Sequence, residues 1–361
     1  MKIYPKTIFI IAGVLLFSLN TCLSCPDLCW LGARRAKETS QLTESLRRTL
    51  TGIGYENEAE VIIAKIRKIF PGLEKLRGLF PEDRISALAS MIRQNITDYE
   101  EETFELPQVL DTGKSDCLGF SQLFYVLGKA LNLSLEIIRV YPRHCAVLIS
   151  LNRGCIILDL TGDIYYQSDF FDWEENYEQD AGVWILKEES QLPASYEIIQ
   201  RINEDGIIAA RVNNYGFAKA KSGLYEEAIA YYDKAIKLDS YADIFYYNRG
   251  NANRELGRYR EALDDYDRAA KINPYDSYAL NNRAIIKDKL GMYDEAAEDF
   301  DMAIALNLDF AEARFNRGIF RYYKLGKEDD GIEDIKRALE LKPDLSNRVP
   351  PSIKEILLKT Q

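Results

Sequence analysis

Residues 140 to 149 read VYPRHCAVLI and hold the single histidine of a 361-residue chain, His144. Upstream, DTGKSDCLGF carries Cys117; downstream, CIILDLT carries Asp159. A thiol nucleophile needs a base to take its proton, and the base needs an acceptor to hold its tautomer. Cysteine, imidazole and carboxylate, in this order, can fill those three roles in attack on an acyl carbon. Each has a structural alternative on its own: a small buried hydrophobe, a packing histidine, the polar end of a strand. The order on the right elements is what points to chemistry.

The elements that must position them are legible. Phe120, Leu123, Phe124, Leu127 and Leu131 recur at helical spacing, and Ser115 and Asp116 are good N-cap residues just before them. Cys117 therefore falls in the first turn of a helix, where unsatisfied N–H groups favour a thiolate. LEIIRVY, HCAVLISL and CIILDLT read as successive strands, with Pro142 dividing the first two and the last two forming a hairpin. A two-residue turn at Asn152 and Arg153 sets Asp159 opposite Ala146, one diagonal step from His144. An odd loop without a bulge puts them on opposite faces. Cys145 alternates with His144 and is assigned to the core; Cys155 is in phase with Asp159 and is given no role.

The pieces GKSDCLGFSQLF, YPRHCAVLI and LDLT resemble the transglutaminase-like superfamily, whose papain-like α+β fold serves acyl transferases and cysteine peptidases. The resemblance covers about 82 to 175. It implies Cys117 as nucleophile, His144 as general base and Asp159 as its partner. The chain departs from the family where many members have Gly-Asp-Cys, here Ser-Asp-Cys. It departs again where they have an aromatic two residues after the histidine, here Ala146.

From about residue 209 the chain repeats. GLYEEAIAYYDKAIKLDS, GRYREALDDYDRAAKINP, GMYDEAAEDFDMAIALNL and GKEDDGIEDIKRALELKP align on Gly223, Gly257, Gly291 and Gly326. Ala228, Ala262 and Ala296 then coincide, with Gly331 in the fourth unit; so do Tyr232, Tyr266, Phe300 and Ile335. Small residues let two antiparallel helices approach and the aromatic fills the gap beside them. One such unit cannot bury its apolar face, so units stack. Period and residue types resemble tetratricopeptide repeats, four over 209–343, with 344–361 as a C-terminal capping helix. The fourth unit carries one extra residue between Gly318 and Gly326. Asn214, Asn248, Asn282 and Asn316 share one register in the first helix of each unit, three of them followed by arginine. Since first helices line the concave side of such arrays, the resemblance implies a ladder of amides in a groove, suited to an extended peptide backbone. The other reading is that these amides tie neighbouring helices together.

The ends and the composition complete the picture. MKIYPK, then TIFIIAGVLLFSL, then NTCLSC is the order of a secretory signal over 1–25, with Cys22 or Cys25 placed as a lipoprotein signal would place its lipidated cysteine. The apolar run is shorter than the roughly 20 residues of a spanning helix. The expected location is the cell envelope, with plain secretion or the periplasm as the alternative. Residues 26–81 read as a helical spacer and 82–190 as the transglutaminase-like domain. A net charge of −11 argues against nucleic acid. One histidine and no downstream CxxC pair argue against a metal site, and no cofactor is expected. Cys145 and Cys155 are the close cysteine pair in the body, in a compartment that permits disulfides.

The expectation is thus an exported cysteine-dependent acyl-transfer enzyme, peptidase, amidase or protein-glutamine transferase, whose repeats hold a protein or peptide. The alternative is a non-catalytic envelope scaffold that binds peptides or proteins through the repeats and a degenerate transglutaminase-like domain.

Overall fold

The computed structural model describes residues 26–100, 104–140, 144–151, 154–159, 166–167, 177–180, 183–186 and 198–359. The signal and lipidation sites read over 1–25 lie outside the described residues. Among the described residues no helix is long and apolar enough to cross a membrane.

The N-terminal half is built around α5 (Cys117–Ala130), almost every residue of which is buried. Around it stand α1 (Pro26–Gly52), α2 (Ala59–Ile69), α3 (Pro81–Asn95) and α4 (Leu106–Thr112). A seven-stranded sheet covers the remaining side, in the order β6-β5-β4-β3-β9-β8-β7, every neighbouring pair antiparallel. Its strands are β3 (Leu135–Val140), β4 (His144–Leu151), β5 (Gly154–Asp159), β6 (Tyr166–Gln167), β7 (Tyr177–Asp180), β8 (Val183–Leu186) and β9 (Ile198–Ile202). A short parallel pair, β1 (Asp98–Tyr99) and β2 (Lys114–Ser115), leads into α5. The buried C-terminal end of α5 has carbonyls that no further turn can satisfy. Arg77 donates to Ala130 O at 2.6 Å and Arg84 to Leu131 O at 2.6 Å, which meets that need from the preceding segment.

One sequence expectation changes here. The segment read as a spacer is part of the body: Leu46, Leu50, Ile53, Tyr55, Ile62 and Ile63 share one core with Leu123, Phe124, Leu127 and the strand residues Val147 and Ile149. Each strand offers α5 only alternate residues, so the helix needs other apolar surfaces, and α1 and α2 supply them. The Cys145–Cys155 bridge is ruled out. Ladder pairing sets Cys145 opposite Arg139 and Cys155 opposite Ser150, so the cysteines stand five rungs apart along β4, roughly 17 Å at the usual strand rise. Cys155 instead has its sulfur 3.7 Å from Ser150 Oγ.

The C-terminal half is an all-helical solenoid. Its four units are α6 (Glu204–Lys221) with α7 (Tyr225–Leu238), α8 (Asp243–Glu255) with α9 (Tyr259–Ile272), α10 (Ser277–Lys289) with α11 (Tyr293–Leu306), and α12 (Ala311–Lys324) with α13 (Glu328–Leu341). α14 (Pro351–Lys359) follows, and Ile353 joins the core of the last unit. The glycines between paired helices, Gly223, Gly257, Gly291 and Gly326, all have φ between 65° and 80°, the left-handed cap that ends a helix and that side chains resist. The extra residue of the fourth unit is taken up in α12, one residue longer than α8 and α10, and in its turn. There Lys327 N reaches back to Arg321 O, where Met292 N in the unit before reaches Lys287 O.

No linker separates the halves. β9 pairs with β3 and β8, and α6 begins two residues later, capped by Asn203 accepting from Gly206 N at 2.9 Å.

Candidate functional site

At the start of α5, Asp116 is in the extended region and accepts from Gly119 N at 2.8 Å, a regular N-cap. Ser115, Asp116, Leu118 and Gly119 are buried and Cys117 is half-buried. Burial pushes the Asp116 carboxyl up to about 6, against the opposing N–H bonds of Gly119 and Leu118. Cys117 is therefore the first residue of a capped helix, beside a carboxyl that is reluctant to ionise.

His144 is the first residue of β4, paired with Val140. β4 and β5 pair Val147 with Leu158 and Leu151 with Gly154, the register of a two-residue turn. Continuing that ladder by one step puts Asp159 across from Ala146, a diagonal step from His144. The two positions thus share one phase of the pleat. α5 packs on the other phase, through Val147, Ile149 and Leu158, with Cys145 beside them. By register, positions 144 and 159 fall on the phase away from α5, and Cys145 falls on the phase that α5 packs against. Cys145 also packs against the small buried cluster of Phe104, Leu118 and Ala210, which adjoins Cys117 through Leu118.

The repeat side is more fully defined. Asn248 Nδ2 donates to Asn213 Oδ1 at 2.9 Å, and Asn316 Nδ2 to Asn281 Oδ1 at 3.0 Å, each reaching into the preceding unit. Asn282 Nδ2 donates to Asn251 Oδ1 at 2.9 Å, and accepts from Asn281 Nδ2 at 3.1 Å. Asn214 accepts from Asn213 at 3.4 Å. Asn248, Asn282 and Asn316 are thus tied to the preceding unit, as the second of the two readings had it, and each has donors and acceptors beyond the one such a bond uses. Sequence spacing found one of the two amide columns; Asn213, Asn251 and Asn281 were missed, because no single register carries all three.

The arginine that follows three of the four ladder asparagines is a staple. Arg249 reaches Asp265 in its own unit and Asp233 in the preceding one, both at 2.6 Å. Arg283 repeats this with Asp299 and Asp267, and Arg317 with Asp334 and Asp301. In the first unit the same two registers hold Tyr215 and Tyr231, whose rings lie 5.9 Å apart, and Tyr215 also meets Phe104 edge-on at 5.4 Å. The first repeat exchanges its ion pair for aromatic contact with the body, which takes the place of a preceding unit. The aspartates at 34-residue spacing were the available signal for the staple.

Among the described residues no group of three or more His, Cys, Asp or Glu side chains is placed to hold a metal ion.

Family models for the tetratricopeptide repeat match residues 211–241, 244–276 and 281–346, so this segment is a tetratricopeptide array. Among solved structures, the chain is similar to MamA at 25% identity, over 38% of this chain and 81% of that one, with a TM-score of 0.35. It is similar to the tetratricopeptide domain of Arabidopsis OM64 at 27% identity, over 33% and 98%, with a TM-score of 0.32. The first tetratricopeptide domain of Spaghetti (RPAP3), bound to the HSP90 peptide SRMEEVD, is similar at 30% identity, over 33% and 96%, with a TM-score of 0.30. No curated protein matches the chain.

Proposed function

We propose that this chain is an exported scaffold that holds a protein or peptide partner on the first-helix face of its tetratricopeptide array. The observation that carries this reading is the amide column Asn248, Asn282 and Asn316, in which each side chain is oriented by a bond to the unit before it. Preoriented amides can bond an extended main chain without first losing rotamer freedom. The N-terminal order of basic, apolar and small residues supports export, with Cys22 or Cys25 as the lipid attachment point in the envelope.

Peptides selected from a random library on the intact protein provide the test. Their affinity should fall at least about tenfold in the Asn248→Ala, Asn316→Ala double variant, a loss of two or more hydrogen bonds. The variant should keep its helical circular dichroism. Selected peptides that bind the double variant equally well count against the groove.

A second reading keeps the transglutaminase-like chemistry. It is favoured by Cys117 at a capped helix start, and since positions 144 and 159 fall on the pleat phase opposite the one α5 packs on, it requires the imidazole to reach the thiol around the start of β4. In it, the Cys117 thiolate attacks a carboxamide or peptide carbonyl and His144 carries the proton to the leaving amine. Asp159 holds the imidazole, and water or an amine resolves the acyl-enzyme. Alkylation at pH 7 separates the readings: a Cys117 no faster than free cysteine, and indifferent to His144→Ala, leaves the scaffold alone.

A further inference from the structure

The first repeat helix is docked onto the body by one side chain with three kinds of contact. Arg211 of α6 donates from Nε to Glu105 Oε1 at 2.9 Å and from Nη2 to Glu105 Oε2 at 2.6 Å, a two-pronged pair. Its Nη1 donates to Ile53 O at 2.8 Å, and its guanidinium lies 3.7 Å from the centre of the Tyr55 ring. The pair is largely shielded from water, with the two side chains 11% and 17% exposed. Behind it, Tyr55 and Gln122 link the same knot to α5. Tyr55 OH accepts from Leu106 N at 3.0 Å and donates to Gln122 Oε1 at 3.3 Å, and Gln122 Nε2 donates to Phe104 O at 3.2 Å.

One residue before Arg211, Ala210 packs against Phe104 and Leu118, all three buried. α6 therefore lies over the segment that leads to α5 and over its first turn, where Cys117 is the least buried residue. The approach is close at a second point: a Cβ on Gly52 would come within 2.6 Å of Glu204 Oε2 at the start of α6.

We propose that α6 is a lid on the start of α5, latched by Arg211 and Glu105, and that the Cys117 turn becomes fully accessible only when the repeat array lifts from the body. The solenoid is then both the partner-binding element and the cover of the turn that the second reading makes catalytic. The lid stands independently of that reading, because its test measures access and not turnover.

Alkylation of the full-length protein by N-ethylmaleimide, followed cysteine by cysteine by mass spectrometry, tests the latch. Arg211→Ala should speed labelling of Cys117 about tenfold, since loss of one partner of a shielded pair favours local opening. Cys155, a half-buried thiol on β5, should keep its rate. Arg211→Lys, which keeps the charge and loses the fork and the stacking, should fall between the two. An unchanged Cys117 rate overturns the proposal. So does a parallel rise at Cys117 and Cys155, which signals general loosening. Should Arg211→Ala not fold, the wild-type protein in urea below its unfolding transition serves: Cys117 must become reactive before Cys155, and simultaneous exposure refutes the lid.

Discussion

Arg249 and Asp265 lie 2.6 Å apart within the second repeat, and the same guanidinium reaches back to Asp233 in the first. Asp265 is nearly inaccessible, and burial pushes its carboxyl up even with Arg249 bonded to it. Burial works against the charge on Arg249 too, but its bonds to Asp265 and Asp233 hold the guanidinium above its ordinary value, so attraction and the cost of leaving water act against each other across the pair.

Removing Arg249 alone should be costly. Arg249→Ala leaves the Asp265 carboxylate buried with Asn253 as its hydrogen-bond donor, and should lower unfolding free energy by about 2–4 kcal/mol. Arg258→Ala breaks the exposed pair with Glu226 and should change stability far less, because solvent screens that pair. Urea unfolding of the two variants checks the difference; equal losses would show that the staple carries no special weight.

The fourth unit brings α12 and α13 together at two glycines. A Cβ on Gly318 would meet Gly331 O at 2.7 Å and Ile335 Cγ1 at 2.7 Å, and a backbone oxygen cannot step aside cheaply. Gly318→Ala should destabilise the array by about 2 kcal/mol through overpacking, although alanine is the better helix former by about 1 kcal/mol. A thermal melt that rises in this variant would reverse the argument. The third unit holds Ala284 at this register, so the penalty belongs to the site and not to the repeat.

Tyr55→Phe should cost about 2 kcal/mol. It leaves the Leu106 N–H and the Gln122 carbonyl oxygen buried without the phenol that served both, while the ring that carries Arg211 remains. Guanidinium unfolding measures the loss. Amide exchange should rise first at Leu106.

Asp116 gives the N-terminal half a pH dependence of definite sign. Its carboxyl rises from 3.8 to about 6 on folding, chiefly through burial. The folded state then holds a proton that the unfolded state has lost, so this contribution is complete below about pH 4. It disappears as pH rises through 6, about 3 kcal/mol in all. Relative to Asp116→Asn, which caps the helix and does not titrate, the wild-type protein should lose about 2 kcal/mol of stability between pH 4.5 and 7. Parallel pH profiles for the two proteins would contradict this.

The legible part of the molecule was the part whose contacts repeat or stay local. Gly223, Gly257, Gly291 and Gly326 marked the turns, and Asp116 marked the start of α5, because a cap and a left-handed turn depend on neighbours a few residues away. The pairing of β4 with β5 followed from the two residues between them, since so short a turn leaves one register. The face of the sheet that meets α5 was assigned through Cys145 alone, because apolarity does not distinguish it. Both phases of β4 are apolar, as Ala146, Val147, Leu148 and Ile149 show by all being buried.

By itself the sequence determined a tetratricopeptide array, its unit boundaries, the extra residue of the last unit and a capped helix beginning at Cys117. Those features rest on periodicity and short-range bonding. Tertiary structure alone decided that α1 and α2 complete the core around α5. It also decided that Tyr215 trades the arginine staple for Phe104, and that Arg211 joins Glu105 and Tyr55 across more than a hundred residues of chain. Such contacts carry no local signature, because they exist only once two separately formed surfaces have been pressed together.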